Sequence, residues 1–577
     1  MVEAAAAAPR LRLDLRQPSR HLVLAQLDFT PAHTQLDLRL PAWTPGSYLI
    51  RDYVRTLEDL GLMQGDRPIP LQRLGPAHWR ARLNDLAPVN LRYRLLAVES
   101  SVRTSLLQSD HGFVVLAQVA LQIDGQRWHP HALELRLPPD WQAFVPLPED
   151  GQGGWLARDY DQLVDSPVEV GELTARPFAV AGVPHRWVTW GQDPAIDAPR
   201  WLEEVAAVCQ ACCQLMGMAA PPAQTYLLVL HLLEQGYGGL EHDNSCVLVF
   251  GRRALATPEG RRKLLQLVAH EYLHQWNGRR LRPAPLWPID YDGPVIVPTL
   301  WFVEGITSYY DLFLPQLAGL SNESELLADL GDDLCRYFRT PGRFVQSLRE
   351  SSEEAWVKLY RQDAYSSDNQ VSYYIKGTVL ALILDLHLRR HGSALSSVLR
   401  QLWASHGRWG RGYGEADLLA AFSDHAADLS TLLPFWLESR QDPPVENYLE
   451  DVGLNLIAIP ASHPCAGWQV ESPGSAGLRI KQVVRDGPAE VAGLQVGDEL
   501  LAVEGMRVMV EKELTSLLVQ RAREGNPLAI LFCRDGLVQH TCLRPSAPAV
   551  IRYRLNSDPA ASPAMLQRRR EWLALVP

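Results

Sequence analysis

The sequence predicts a multidomain α+β protein. A β-sandwich-like domain spans residues 1–188, a helix-rich domain 189–455, a small domain 460–545 and a tail 546–577. Three observations predict this. Leucine and charge alternate with period two up to about residue 188, apolar residues take up helical spacing after Pro199, and short strand patterns return after residue 465. A chain of 577 residues also exceeds what one core serves, since single cores stop growing at ~250–300 residues.

The first domain is read from Leu11-Arg12-Leu13-Asp14-Leu15, Leu36-Asp37-Leu38-Arg39-Leu40 and Leu133-Glu134-Leu135-Arg136-Leu137. Side chains alternate across a strand, so each run puts leucine on one face and charge on the other, as half-buried antiparallel strands do. The aromatic stretch Trp43-Thr44-Pro45-Gly46-Ser47-Tyr48, running on to Tyr53, reads either as a turn packed on the core or as a wall of a binding cleft. Helices are expected over 201–216, 260–280, 303–314, 323–338, 372–390, 394–405 and 415–425, with a strand hairpin near 225–233 and 246–250. Cys209, Cys212 and Cys213 have no second Cys or His pair nearby in the sequence and are read as core thiols of the first of these helices. In the third domain 478–484 reads as a strand, Gly487-Pro488-Ala489 follows, and Gly497-Asp498 turns into another strand. The basic run Arg568-Arg569-Arg570 reads as a solvated helix face.

Composition narrows the function classes. With 66 acidic against 55 basic residues the net charge is −11, and no concentrated basic face is expected, so no nucleic-acid partner is expected. No run approaches the ~20 apolar residues of a membrane span. The start, Met1-Val2-Glu3 followed by five alanines, lacks the basic region and leucine-rich core of a secretory signal. Eight cysteines in so long a chain do not make a disulfide framework. A cytoplasmic protein is expected.

The strongest motif is His270-Glu271-Tyr272-Leu273-His274, inside an apolar helical pattern. Residues four apart share a helix face, so His270 and His274 can turn ring nitrogens to one ion while Glu271 reaches a water beside it. A catalytic zinc site needs three protein ligands and one open position. Glu304, in Leu300-Trp301-Phe302-Val303-Glu304-Gly305, is the candidate third ligand, because a carboxylate in so apolar a stretch is costly unless paired or metal-bound. Ser308 and Asp311, one and two turns on, are candidates to brace the histidine rings.

Extended to His270-Glu271-x-x-His274-Gln275-Trp276-Asn277-Gly278 and Trp301-Phe302-Val303-Glu304-Gly305, the pattern resembles the gluzincin aminopeptidases, and the order of domains resembles the glycyl aminopeptidase family among them. The resemblance reaches residue 545, includes Trp43-Thr44-Pro45-Gly46-Ser47-Tyr48, and implies a thermolysin-like catalytic domain. The interval between His274 and Glu304 departs from other gluzincin aminopeptidases in being longer, with proline-rich residues 282–298 filling it. The region after 465 resembles a PDZ domain, which takes an extended peptide by strand addition. Its groove loop would be Ser475-Ala476-Gly477-Leu478, unlike the usual Gly-Leu-Gly-Phe.

Two further elements acquire roles from the resemblance. Gly238-Gly239-Leu240-Glu241-His242 resembles the Gly-x-Met-Glu-Asn element, whose glutamate holds the substrate's α-ammonium beside glycines that let an extended peptide approach. Tyr374-Ile375-Lys376-Gly377 resembles the Tyr-x-Lys-Gly element, whose phenol donates to the oxyanion, with Tyr373 as the neighbouring alternative. The resemblance thus implies a zinc-dependent aminopeptidase with one Zn2+ per chain on His270, His274 and Glu304, and Glu271 as general base. It implies a preference for amino-terminal glycine and alanine, peptides with a free amino terminus as partners, and a peptide or protein ligand for the PDZ domain. Two rival readings stand beside it: a PDZ-assisted zinc endopeptidase, and a catalytically dead PDZ scaffold.

Overall fold

The computed structural model describes residues 8–472 and 477–575. The chain divides into two compact units, one of Met1–Thr299, Tyr310–Asn322 and Leu395–His425, the other of Leu300–Tyr309, Glu323–Ala394 and Ala426–Pro577. Among the described residues no helix is long and apolar enough to cross a membrane.

In the first unit the alternating runs are strands, Arg10–Asp14, Gln35–Arg39 and His131–Arg136, and Leu11, Leu13, Leu36, Leu38 and Leu133 are buried. Most strands here pair antiparallel as expected, but not all. Arg10–Asp14 runs antiparallel to Leu22–Phe29 but parallel to His131–Arg136. Alternation fixes which face is buried and is silent on direction.

The strands Arg176–Val180 and Val183–Trp190 continue into a five-stranded sheet with Tyr226–Leu233, Ser245–Gly251 and, at its edge, Tyr237–Glu241. The hairpin expected of 225–233 and 246–250 does not form: these two strands are parallel, and both are near-continuous apolar runs, as strands buried on two faces are. The chain between them supplies the edge strand, antiparallel to Ser245–Gly251. Cys209, Cys212 and Cys213 are buried in the helix Pro199–Leu215, and burial pushes the Cys213 thiol up to about 12.

The second unit is built around the helix Tyr373–Arg390, buried along most of its length. The expected helix 303–314 is entered through a wide π turn, Trp301–Gly305. That turn meets the central helix glycine on glycine: a Cβ on Gly305 would stand 2.5 Å from Gly377 Cα, a distance only glycine permits.

The third sequence region folds as expected, with strands in the order Trp468–Glu471, Leu478–Val483, Glu499–Val503, Leu528–Arg534 and Leu537–Leu543. The helix Glu511–Arg521 contributes Leu514 and Leu518 to their core. Gly497 takes φ +96° at the turn, and buried Asp498 pairs with Arg534 at 2.7 Å. Of the groove loop, Ser475 and Ala476 lie outside the described residues.

The tail is structural. Val550–Ser557 pairs with Leu454–Pro460, and the helix Pro563–Leu573 buries Trp572, whose Nε1 donates to the Tyr309 hydroxyl at 2.8 Å. Arg569, expected in solvent, is buried and donates to Val452 O at 2.7 Å and Ser557 Oγ at 2.8 Å.

Candidate active site

The histidine helix is Pro258–Leu273, shorter than expected. Thr257 caps it by accepting from Gly260 N, Pro258 occupies the first position, and Glu259 complements the positive end. It stops at His274 because the chain tightens into three-residue turns there and Gly278 takes φ +115°. His274 retains helical dihedrals, so the rings of His270 and His274 still share a face, 4.7 Å apart.

Both rings are braced through Nδ1. His270 Nδ1 donates to Asp311 Oδ2 at 2.8 Å, and His274 Nδ1 to the carbonyl of Asn277 at 2.7 Å. An imidazole that donates from Nδ1 carries its lone pair on Nε2, which is the tautomer a transition metal needs. The sequence pointed to Asp311; it missed Asn277, whose contribution is a backbone atom. Ser308, the other candidate brace, has no side-chain hydrogen bond among the described residues.

Glu241 ends the edge strand Tyr237–Glu241, and Glu241, Glu271 and His274 each bring a donor atom within 4.8 Å of the other two. All three are buried. Among the described residues Glu241 forms no close ion pair, though its charge helps to raise the pKa of Arg279. Both glycines before it are required where they stand. Gly238 has φ +146°, and a Cβ on Gly239 would collide with the Glu271 side chain. The Pro45-Gly46 turn, left open between two readings, faces this place: Gly46 has φ +81°, and a Cβ there would lie 2.7 Å from both Glu241 oxygens. His242 turns away to Asp165 at 3.1 Å. Arg103, which the sequence did not single out, donates to Gly239 O at 3.1 Å.

In the second unit Glu304 is buried in the π turn. Ser372 caps the helix Tyr373–Arg390 by accepting from Tyr374 N at 3.2 Å, which places both tyrosines in the first turn. Their hydroxyls each lie 3.1 Å from that of Tyr360, another residue sequence reasoning missed. Burial, then the negative charge of Glu304, pushes the Tyr374 phenol far above its ordinary pKa, so it remains a proton donor. Lys376 donates to the carbonyls of Gln346, Ser439 and Arg343 at 3.1, 3.2 and 3.3 Å, and burial brings its pKa down to about 8.

Comparison with known families matches residues 10–172 to the Peptidase M61 N-terminal domain, 263–380 to the M61 glycyl aminopeptidase domain and 479–528 to the PDZ domain. Two of these three domains are those of the M61 glycyl aminopeptidase family, matched here in the order the sequence suggested. The chain is a metallopeptidase of the aminopeptidase type. A crystal structure of an aminopeptidase N family protein from Idiomarina loihiensis is similar over 97% of this chain and 99% of its own, with 28% identity and a TM-score of 0.91. An M1 zinc metallopeptidase from Deinococcus radiodurans, 16% identical, covers 76% of this chain and 95% of its own with a TM-score of 0.49. No curated protein matches the chain.

Proposed function

We propose that the peptidase is a zinc aminopeptidase that removes small amino-terminal residues, glycine and alanine, from peptides with a free amino terminus. The observation that carries this reading is the buried group Glu241, Glu271 and His274. A buried carboxylate that forms no close ion pair, beside a candidate general base, suits a substrate ammonium one residue from the bond to be cut. The edge strand before it offers backbone to an extended peptide, and its glycines allow close approach. The match to the M61 glycyl aminopeptidase domain supports the glycine part of this preference.

In this reading His270, His274 and Glu304 hold one zinc per chain, and the Nδ1 bonds of both rings fit that role. Zinc bound there supplies Lewis-acid polarisation of the scissile carbonyl and acidification of a water. Glu271 takes the attacking water's proton and delivers it to the leaving amine. The Tyr374 phenol, held protonated, donates to the carbonyl oxygen as it becomes negative. Glu241, with Gly238 and Gly239, receives the amino terminus and sets the cut after one residue. The PDZ domain takes a peptide or protein ligand by strand addition.

The test compares alanyl and glycyl substrates with their N-acetylated forms. Acetylation is expected to lower kcat/KM on the order of a hundredfold, as loss of a charge-assisted hydrogen bond to a buried carboxylate does. Glu241→Ala should cut turnover of free-amine substrates and abolish the discrimination. Equal cleavage of blocked peptides would establish the endopeptidase reading instead.

A further inference from the structure

The chain carries a net charge of −11, yet six arginines gather around one pocket of the first unit. The pocket holds about 270 Å3, and Arg158, Arg279, Arg280, Arg282, Arg408 and Arg411 line it, with Trp287 at its rim. Residues 279–282 follow the Gly278 turn that ends the histidine segment. The 407–412 loop is held beside them, because Tyr413 N bonds Arg282 O at 3.0 Å and Ala284 N bonds Tyr413 O at 2.8 Å.

Carboxylates do not balance these guanidiniums. Asp165 and Asp243 pair with Arg279 at 2.7 and 3.0 Å, Asp243 lies 3.7 Å from Arg282, and Asp159 pairs with Arg158 at 3.0 Å. Arg280 donates to neutral oxygens, the carbonyls of Asp243 and Gln275 and the Asn244 side chain, at 3.0, 3.1 and 3.2 Å. Among the described residues no carboxylate pairs with Arg280, Arg408 or Arg411. Three acids therefore form the ion pairs of a group of six bases, and the charges of Glu241 and Asp161 also act on Arg279 and Arg282.

Burial, followed by repulsion from Arg279, lowers the pKa of Arg282. Against its own burial, Asp243 is held well below the usual carboxylate range by Arg279, Arg282 and Arg280. A bound anion would relieve this crowding. Guanidinium forks match phosphate oxygens two at a time, and a surplus of several positive charges suits a multiply charged anion better than a single carboxylate. The volume is below the ~300–1,000 Å3 of drug-sized sites, which calls for a small ligand. Trp287 is half exposed, with the Arg282 guanidinium 5.2 Å from its ring centre.

We propose that this arginine pocket is a binding site for a small phosphate-bearing anion. Arg408 and Arg411 grip it from the exposed loop, and Arg280 and Arg282 form the positive floor.

The experiment is isothermal titration of the full-length, metal-loaded protein with inorganic pyrophosphate at constant ionic strength, with orthophosphate and a nucleoside diphosphate as parallel probes. Saturable binding of one equivalent is expected. The double variant R408S/R411S should bind on the order of a hundredfold more weakly, about tenfold for each charge-assisted contact removed. Its hydrolysis of a small aminoacyl substrate should be unchanged. Tighter binding of the nucleoside diphosphate, lessened by Trp287→Ala, would name a nucleotide as the source of the phosphate, and tighter binding of an inorganic probe would name a free phosphate. The absence of saturable binding to any probe, or equal affinity in the double variant, would overturn the site.

Discussion

Two histidine–glutamate groups in the first unit use the same side-chain types to opposite ends. In one, His111, Glu169 and His231 turn inward: His111 Nε2 lies 2.6 Å from one oxygen of Glu169, and His231 Nε2 lies 3.0 Å from the other. The His111 ring also stacks on Trp190 at 4.1 Å. Donor atoms of one tetrahedral zinc with ~2.0–2.1 Å bonds stand roughly 3.3 Å apart, so a 2.6 Å separation is a hydrogen bond. The Nε2 hydrogens are spent on the carboxylate, and the group ties together the strands His111–Val114, Val168–Gly171 and Tyr226–Leu233. In the other group the histidines donate from Nδ1, to Asp311 and to the Asn277 carbonyl. The difference lies in which nitrogen is committed to the protein. One pattern staples strands, and the other keeps the lone pairs on Nε2, as the proposed zinc site requires.

The largest effect expected from breaking this contrast is on turnover. Glu271→Gln should retain metal and lose activity by a factor of about 10²–10⁴, the usual contribution of a general base, whereas Glu169→Gln should leave kcat within a few-fold. Steady-state kinetics with metal analysis checks both. Next comes stability. Glu169→Gln breaks a buried charged group and should cost about 3–5 kcal/mol in urea unfolding, while Glu271→Gln should cost far less. Asp311→Asn should weaken metal affinity about 10–100-fold in competition with a chromophoric chelator, since it loosens one ring without removing a ligand.

The smallest effect is the pH dependence. Burial raises the Glu169 carboxyl, but the charges of His231 and His111 outweigh it, so its folded pKa lies below the ordinary 4.5. A depressed folded pKa stabilises fully above the unfolded value, and that contribution is lost as pH falls through the folded one. The urea midpoint should therefore decline below about pH 4.5, and Glu169→Gln should remove part of that decline. An unchanged acid slope in the variant would contradict the assignment.

Much of this was legible in the sequence because the signals are local. Period-two leucines gave the strand faces, the four-residue histidine spacing gave a shared helix face, and Gly497-Asp498 gave its turn. What remained hidden depends on partners distant in the chain. Gly305 and Gly377 explain each other only once their backbones touch. The doubled glycine before Glu241 belongs to an edge strand because Glu271 fills the space a Cβ would need. Arg569 reads as a surface residue until the fold brings the Val452 carbonyl to it. Tyr360 is one tyrosine among 18 until its hydroxyl is seen between two others.

Zinc content per chain, measured by mass spectrometry on purified folded protein and on single histidine variants, tests the central claim most directly. The account predicts one zinc in the unsubstituted chain and in His231→Gln, and none in His270→Ala or His274→Ala. Zinc retained without His274, or lost with His231, would contradict it.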